Sequence, residues 1–510
     1  MAHSPALGAF VGTLALFLTT SAGAQAPAPG DLAGLRKISA TTRSFGGALE
    51  EVDRLGISVA RLGDLNGDGN VDVAVGALLD DDGGVDRGSV WILFLDASGE
   101  VSATTKINDV EGGFIGTLDD NDRFGISVAG LGDLDGNGVP DLAVGAYRDD
   151  DGCEDCGAVW LLSMNPDGSV LQQGKISATK GGFLSGLEVG GLFGRELVSL
   201  GDLDGDGIGE LLVTANRENS GGLDRGAAYV LFLTAEGRVR TYVRIGDQSG
   251  GFNGALDDED RFGTSAARLS DLDGDGIDEV AIGARHDDDG FTDAGAVYVL
   301  FLQADGRVRA HTKISATEGG FTGVLSRGDS FGFSLGAVGD LDGDGLTELA
   351  VGAIGDDDGG GGRGALWILF LNDDGTVANH RKFSSTFGDF TGALDDHDRF
   401  GASAAGFGDL DGDGTTELLV GASDDDDGVL DAGALWVLSL VTRRITPYGC
   451  GVNPRASLVV LDGDPTIGTT LTFGVDNPLG TQQSGASALV AASFARLRPI
   501  PAARRSRASA

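Results

Sequence analysis

One nine-residue pattern of oxygen-bearing side chains occurs six times in this chain. Asp64, Asn66, Asp68 and Asp72 stand at its positions 1, 3, 5 and 9, and Asp133, Asp135, Asn137 and Asp141 repeat the spacing. The third and fourth copies are Asp202, Asp204, Asp206, Glu210 and Asp271, Asp273, Asp275, Glu279. The last two are Asp340, Asp342, Asp344, Glu348 and Asp409, Asp411, Asp413, Glu417. Oxygens on alternate residues of a tight loop converge on one point, and a hard cation such as Ca²⁺ takes about six to eight of them. Gly69, Gly138, Gly207, Gly276, Gly345 and Gly414 hold position 6, where the chain must turn sharply. The carbonyl at position 7, for example of Asn70 or Ile208, is expected to add a ligand. The competing reading is an Asx-rich turn without metal, since Asp, Asn and Gly all favour turns. Such a turn has no need of several acids at one point, where like charges repel. About six Ca²⁺ per chain are therefore expected, with affinities in the weak extracellular range of about 10⁻⁴–10⁻³ M.

An EF-hand begins with the same spacing but needs a bidentate Glu at position 12 and flanking helices. Position 12 is Val75, Val144, Val213, Ile282, Val351 or Val420, and these residues belong to the next predicted strand. The loops must lie between strands instead. The wider repeat shows how they are placed. Leu55-Gly56 recurs as Phe124-Gly125, Phe193-Gly194, Phe262-Gly263, Phe331-Gly332 and Phe400-Gly401, always 69 residues apart, and Lys37 recurs as Lys106, Lys175, Arg244, Lys313 and Lys382. Constant spacing makes each unit one structural module. In the second unit, period-two patterning predicts strands at 124–134, 141–146, 158–162 and 174–177, with a hairpin signal at Asn165-Pro166-Asp167-Gly168 between the last two. Four consecutive strands per unit, repeated radially, predict an all-β fold: a β-propeller of six four-stranded blades. The final unit supplies only three strands, while a lone fourth-strand copy stands at 35–39. The N-terminal strand is therefore expected to complete the last blade and remove the open edges. A seventh blade built from residues after 445 is the alternative.

Phe124-Gly125, the acidic nonapeptide and Gly145-Ala146 resemble the FG-GAP repeats of integrin α-subunit propellers. The resemblance covers about residues 35–446. It implies calcium in the blade loops and suggests adhesion or ligand binding. The family's propellers have seven blades, and the Pro ending the family motif is replaced here by Leu78, Tyr147, Asn216, Arg285, Ile354 and Ser423.

Strand parity puts the acidic nonapeptides, between strands one and two, on one face. The loops between strands two and three lie on the other, with the segments that join blades. Those second loops carry Asp80 to Asp82, Asp149 to Asp151, Asp287 to Asp289, Asp356 to Asp358 and Asp424 to Asp427. Either they form an acidic binding surface, or nearby Arg residues neutralise them. The third blade has Glu218-Asn219-Ser220 instead.

Composition bounds the rest. The chain has 510 residues, 88 of them Gly, 41% apolar residues and a net charge of −42. A G-X-Y period is missing and Pro is scarce, so collagen is excluded, and the apolar content argues against disorder. The charge disfavours nucleic acid and favours cations. Residues 1–24 read as a secretory signal, with an apolar run at 6–18 and Ala22-Gly23-Ala24 as a cleavage site, which implies a secreted, extracellular or cell-surface protein without a transmembrane span. Residues 447–495 read as a small β segment with strands at 457–461 and 469–475. Residues 496–510 turn basic and are expected to lack fixed structure. Cys153 and Cys156 suit a short-range disulfide in a secreted chain, and Cys450 is left over.

Three further motifs read as coincidences. Gly332-Phe333-Ser334-Leu335-Gly336 matches a nucleophile elbow but lies on a strand without the required following helix. Arg327-Gly328-Asp329 matches the tripeptide that integrins recognise, in a Gly/Asp-rich chain where chance matches are frequent. His311 and His380 are repeat equivalents, not parts of a triad. The sequence thus predicts a non-catalytic adhesion or protein-binding module with an extracellular protein or glycan as ligand. The alternatives are a lectin-like propeller and, from another class, an extracellular enzyme acting on polysaccharides.

Overall fold

The computed structural model describes residues 27–41, 45, 47–183 and 186–443, together with two short strands beyond them. Six four-stranded antiparallel sheets make up the unit Ala28–Ile445. Blade one contains Leu55–Gly63, Asp72–Ala77, Ser89–Leu95 and Val101–Ile107 in spatial order, and the next four blades repeat that order. In blade six the outer strand is Leu32–Ser39, which pairs with Ala434–Val441 and places Lys37 opposite Trp436. The expected six blades and N-terminal closure are both present.

Two glycines of the repeat, the second replaced by Thr214 in blade three, explain how blades stack. Gly125 adopts φ +91°, and a Cβ there would lie 2.3 Å from the Ser89 carbonyl oxygen of the preceding blade. A Cβ on Gly76 would lie 1.9 Å from the Gly125 carbonyl oxygen. At these two positions only a residue without a side chain lets backbone pack on backbone this closely. Beside these contacts, Ser58 Oγ donates to Gly125 O at 2.9 Å, and Ser127, Ser265 and Ser334 repeat the bond to the next blade. Ser403 donates to Gly56 O at 2.8 Å, joining blade six to blade one and closing the ring.

Strands two and three are buried along all or nearly all of their length, as in Asp72–Ala77 and Ser89–Leu95. A neighbouring blade covers each face, so their patterning is continuous and not alternating. The fourth strand of blade two runs Val170–Ile176, starting four residues before the expected 174. Its outer edge is solvated, so Gln172 and Gln173 sit within a strand while reading as loop.

A disulfide joins Cys153 and Cys156 in the loop between strands two and three of blade two. Outside the propeller, Leu458–Asp462 pairs antiparallel with Thr472–Val475, close to the two strands expected there. The signal segment, the basic tail and Cys450 lie outside the described residues. Among the described residues, no helix is long and apolar enough to cross a membrane.

Candidate metal centres

Each acidic nonapeptide forms the connection between the innermost strand of a blade and the second strand. In the fourth copy, Asp271 Oδ1 accepts the Gly274 and Asp275 N–H groups, and Oδ2 accepts Gly276 N–H at 2.9 Å. The position-5 Asp275 accepts Ile277 N–H. Equivalent bonds organise the other loops, for example from Gly69 N–H to Asp64 and from Gly207 N–H to Asp202. Position 6 has φ between 86° and 96° in the six glycines, with open space where a Cβ would stand in at least five of them. Backbone conformation, not crowding, therefore requires glycine there.

Position 9 is different. Asp72, Asp141, Glu210, Glu279, Glu348 and Glu417 are all buried, at or beside the start of the second strand. One oxygen of each accepts the N–H of the position-2 leucine, as Glu279 does from Leu272 at 2.6 Å and Glu417 from Leu410 at 2.7 Å. The second oxygen of Glu210 and of Glu279 is buried and accepts no hydrogen bond. Burial pushes Glu279 up to about 7 and Glu348 up to about 8; a backbone N–H opposes this in each, and the neighbouring Asp charges add to it. Burial likewise raises Glu210 to about 7 and Asp72 to about 6.

Carboxylate oxygens of Asp271, Asp273, Asp275 and Glu279 lie within 4.8 Å of one another, and so do those of Asp340, Asp342, Asp344 and Glu348. Three acids converge equally in each of three other loops: Asp133, Asp135, Asp141; Asp202, Asp204, Asp206; and Asp409, Asp411, Glu417. Glu210 and Asp413 fall outside their loops' groups, and the first loop brings no three acids that close. The Asx bonds are those of a metal-free turn, but they leave the convergence and the orphaned buried oxygens unexplained. An all-oxygen donor set with unsatisfied carboxylates fits a hard divalent cation. Two loops carry a basic side chain as well: Arg240 lies 2.6 Å from Asp204, and Arg309 lies 3.0 Å from Asp275.

On the opposite face the outer two acids of each Asp triplet share one Lys. Lys106 Nζ bridges Asp80 and Asp82, and Lys37, Lys175, Lys313 and Lys382 do the same in their blades. The middle acid of each triplet caps a backbone N–H, as Asp81 does for Asp86 at 2.7 Å. Blade three makes a coordinated replacement, with Arg244 and Tyr229 both donating to Glu218. One Lys offsets one of the three charges of an Asp triplet, so the neutralisation is partial and comes from Lys, not from the Arg residues expected.

The coincidental motifs are also accounted for. Asp329 is buried and caps Ser326 N–H at 2.7 Å, so Arg327-Gly328-Asp329 cannot present its carboxylate. Ser334 Oγ is occupied by the ring-forming bond to Gly401. His311 and His380 pack on aromatic rings.

Comparison with known proteins follows the same divisions. Residues 124–162, 193–231, 262–300, 331–369 and 400–438 match the FG-GAP repeat. These are blades two to six; Leu55 stands for Phe in blade one. The chain is 36% identical over 181 residues to integrin alpha-11 of Homo sapiens, covering 34% of this chain and 13% of that protein. It is 30% identical over 246 residues to integrin alpha-PS2 of Drosophila melanogaster (46% and 16%) and 31% over 245 residues to integrin alpha-5 of Xenopus laevis (46% and 20%). The chain thus matches only about a fifth or less of the length of these curated relatives.

Proposed function

We propose that this FG-GAP repeat propeller, similar over part of its length to integrin α-subunits, is a secreted, calcium-binding and non-catalytic module for adhesion or protein binding. The observation that carries the reading is the convergence of acids in repeated loops, with buried oxygens of Glu210 and Glu279 left without a donor. Ca²⁺ supplies the missing positive charge and fixes each inner hairpin of a blade, so the opposite face is held rigid for a ligand. The position-1, -3, -5 and -9 side chains of all six loops serve as ligands, including Asn66 and Asn137. About six ions bind per chain, fewer at low Ca²⁺ if the Asn-containing first and second loops are the weakest. An extracellular protein is favoured as partner over a glycan, because the four tryptophans, Trp91, Trp160, Trp367 and Trp436, are buried and not displayed for sugar stacking.

Thermal melting with Ca²⁺ and with chelator, combined with metal counting on the dialysed protein, tests this reading. Binding to the native state stabilises it by RT ln(1 + [L]/Kd), so about 100 Kd of free Ca²⁺ adds about 2.7 kcal/mol per site. The expected result is a chelator-dependent fall in midpoint and about six ions per chain. Identical midpoints and no bound alkaline-earth ion in millimolar Ca²⁺ would sink it.

A further inference from the structure

The innermost strands touch one another around the ring and leave a cavity of about 440 Å³ on the axis. All six blades line it, through the residue before the Phe-Gly pair, the residue after it, and the residues following Gly-Ala. Strand parity opens it on the face opposite the acidic nonapeptides. Eight arginines line this cavity and no Asp or Glu does, in a chain where 78 acids face 36 Lys and Arg.

Four of these, Arg54, Arg123, Arg261 and Arg399, precede the Phe-Gly pair with φ of 57° to 58°. Leu192 and Ser330 share that left-handed conformation in their blades, so the fold sets the backbone and the side chain is what differs. Arg195 and Arg285 stack on the ring of Phe333, 5.6 and 5.4 Å from its centre. Asp424 pairs with both Arg54 and Arg399, each at 3.2 Å. Arg123 and Arg217 have only distant acids, Asp86 at 3.8 Å and Asp224 at 4.0 Å. Arg148, Arg195, Arg261 and Arg285 have no carboxylate within 4.0 Å among the described residues. The Nε groups of Arg148, Arg261 and Arg285 are buried without an acceptor. Glu196, beside Arg195, lies outside the cavity lining.

We infer that this axial cavity is a binding site for a small multivalent oxyanion, held by Arg148, Arg195, Arg261 and Arg285. Guanidinium forks match the paired oxygens of carboxylate, sulfate and phosphate groups, and these four have no carboxylate in contact to take up their charge. The cavity volume falls in the usual range for small-molecule sites, about 300–1,000 Å³. Burial, with a smaller contribution from Arg195, Arg261 and Arg217, brings Arg285 down to about 9, and burial with Arg285 and Arg261 brings His286 down to about 3. The inference stands on the axial arginines and does not depend on metal in the loops.

Titration calorimetry on the full chain in Ca²⁺ tests it, using benzene-1,3,5-trisulfonate, which does not sequester Ca²⁺, and monovalent benzenesulfonate at matched ionic strength. The trisulfonate is expected to bind once per chain, at least about tenfold tighter than the monosulfonate. The double variant R195Q/R285Q should lose at least about tenfold in affinity and melt higher than wild type without ligand, while R307Q on an exposed hairpin leaves binding unchanged. R148Q serves as a second variant should the double one misfold. A trisulfonate that gives no saturable heat, or binds R148Q and wild type alike, would overturn the assignment.

Discussion

Five aspartates in the segments that join blades are structural anchors. Asp53, Asp122, Asp260, Asp329 and Asp398 occupy one repeat position and are buried, each capping the N–H three residues earlier, as Asp122 does for Asp119 at 2.9 Å. Burial pushes Asp122 up to about 7, with the nearby Asp149 adding to the effect and the Asp119 N–H and Lys175 opposing it. Between pH 4 and pH 7 the native state therefore holds a proton that the unfolded chain has released. Its stabilising contribution is complete below pH 4 and is lost as pH rises through about 7. Asp122→Asn keeps an acceptor for Asp119 N–H and removes the titration. The stability of wild type relative to this variant should fall by up to about 1.4 kcal/mol per pH unit across that window and stay constant above it. Urea unfolding of both proteins at several pH values measures the difference, in which the titration of groups remote from Asp122 cancels. A difference independent of pH would refute the assignment.

At the scale of strands, the closing element is the most exposed to test. Leu32–Ser39 covers the edge of Ala434–Val441, and its Lys37 bridges Asp425 and Asp427 at 2.6 Å. A chain beginning at Ala40 leaves Asp425 buried without its cation, which costs about 3–5 kcal/mol, and exposes an unpaired strand edge. The truncated protein should melt lower and associate with rising concentration, and a peptide of residues 28–41 should reverse both. Light scattering and melting with and without the peptide decide it; a truncated chain that behaves like the full one would show that closure does not depend on this strand. This element was legible because Lys37-Ile38-Ser39 matches five later copies in phase. The acidic loops were legible because each residue type answers a local demand: glycine for positive φ, acids for convergence. The start of the fourth strand at Val170 was not, since an outer strand carries polar residues on its wet side. Nor were the Lys bridges or the axial arginines, because a residue's partner on another strand or blade leaves no mark on its own segment.

Over the whole molecule the charge is divided by place. Acids crowd the loops of one face, Lys side chains offset part of the acids on the other, and arginines meet on the axis. A net charge of −42 destabilises the compact state through repulsion over distances longer than a single loop. Salt screens that long-range part, since the Debye length falls from about 30 Å at 0.01 M to about 3 Å at 1 M. Six divalent ions would remove about twelve of those charges and leave less for salt to screen. Raising NaCl from about 20 to about 500 mM should therefore raise the melting midpoint in chelator at least about twice as much as in saturating Ca²⁺. Chloride is the right anion for this titration, because sulfate or phosphate would also engage the axial arginines and mix two effects. Equal salt responses in the two conditions would mean that the loops do not carry the repulsion, and that the ions, if bound, act only as local clamps.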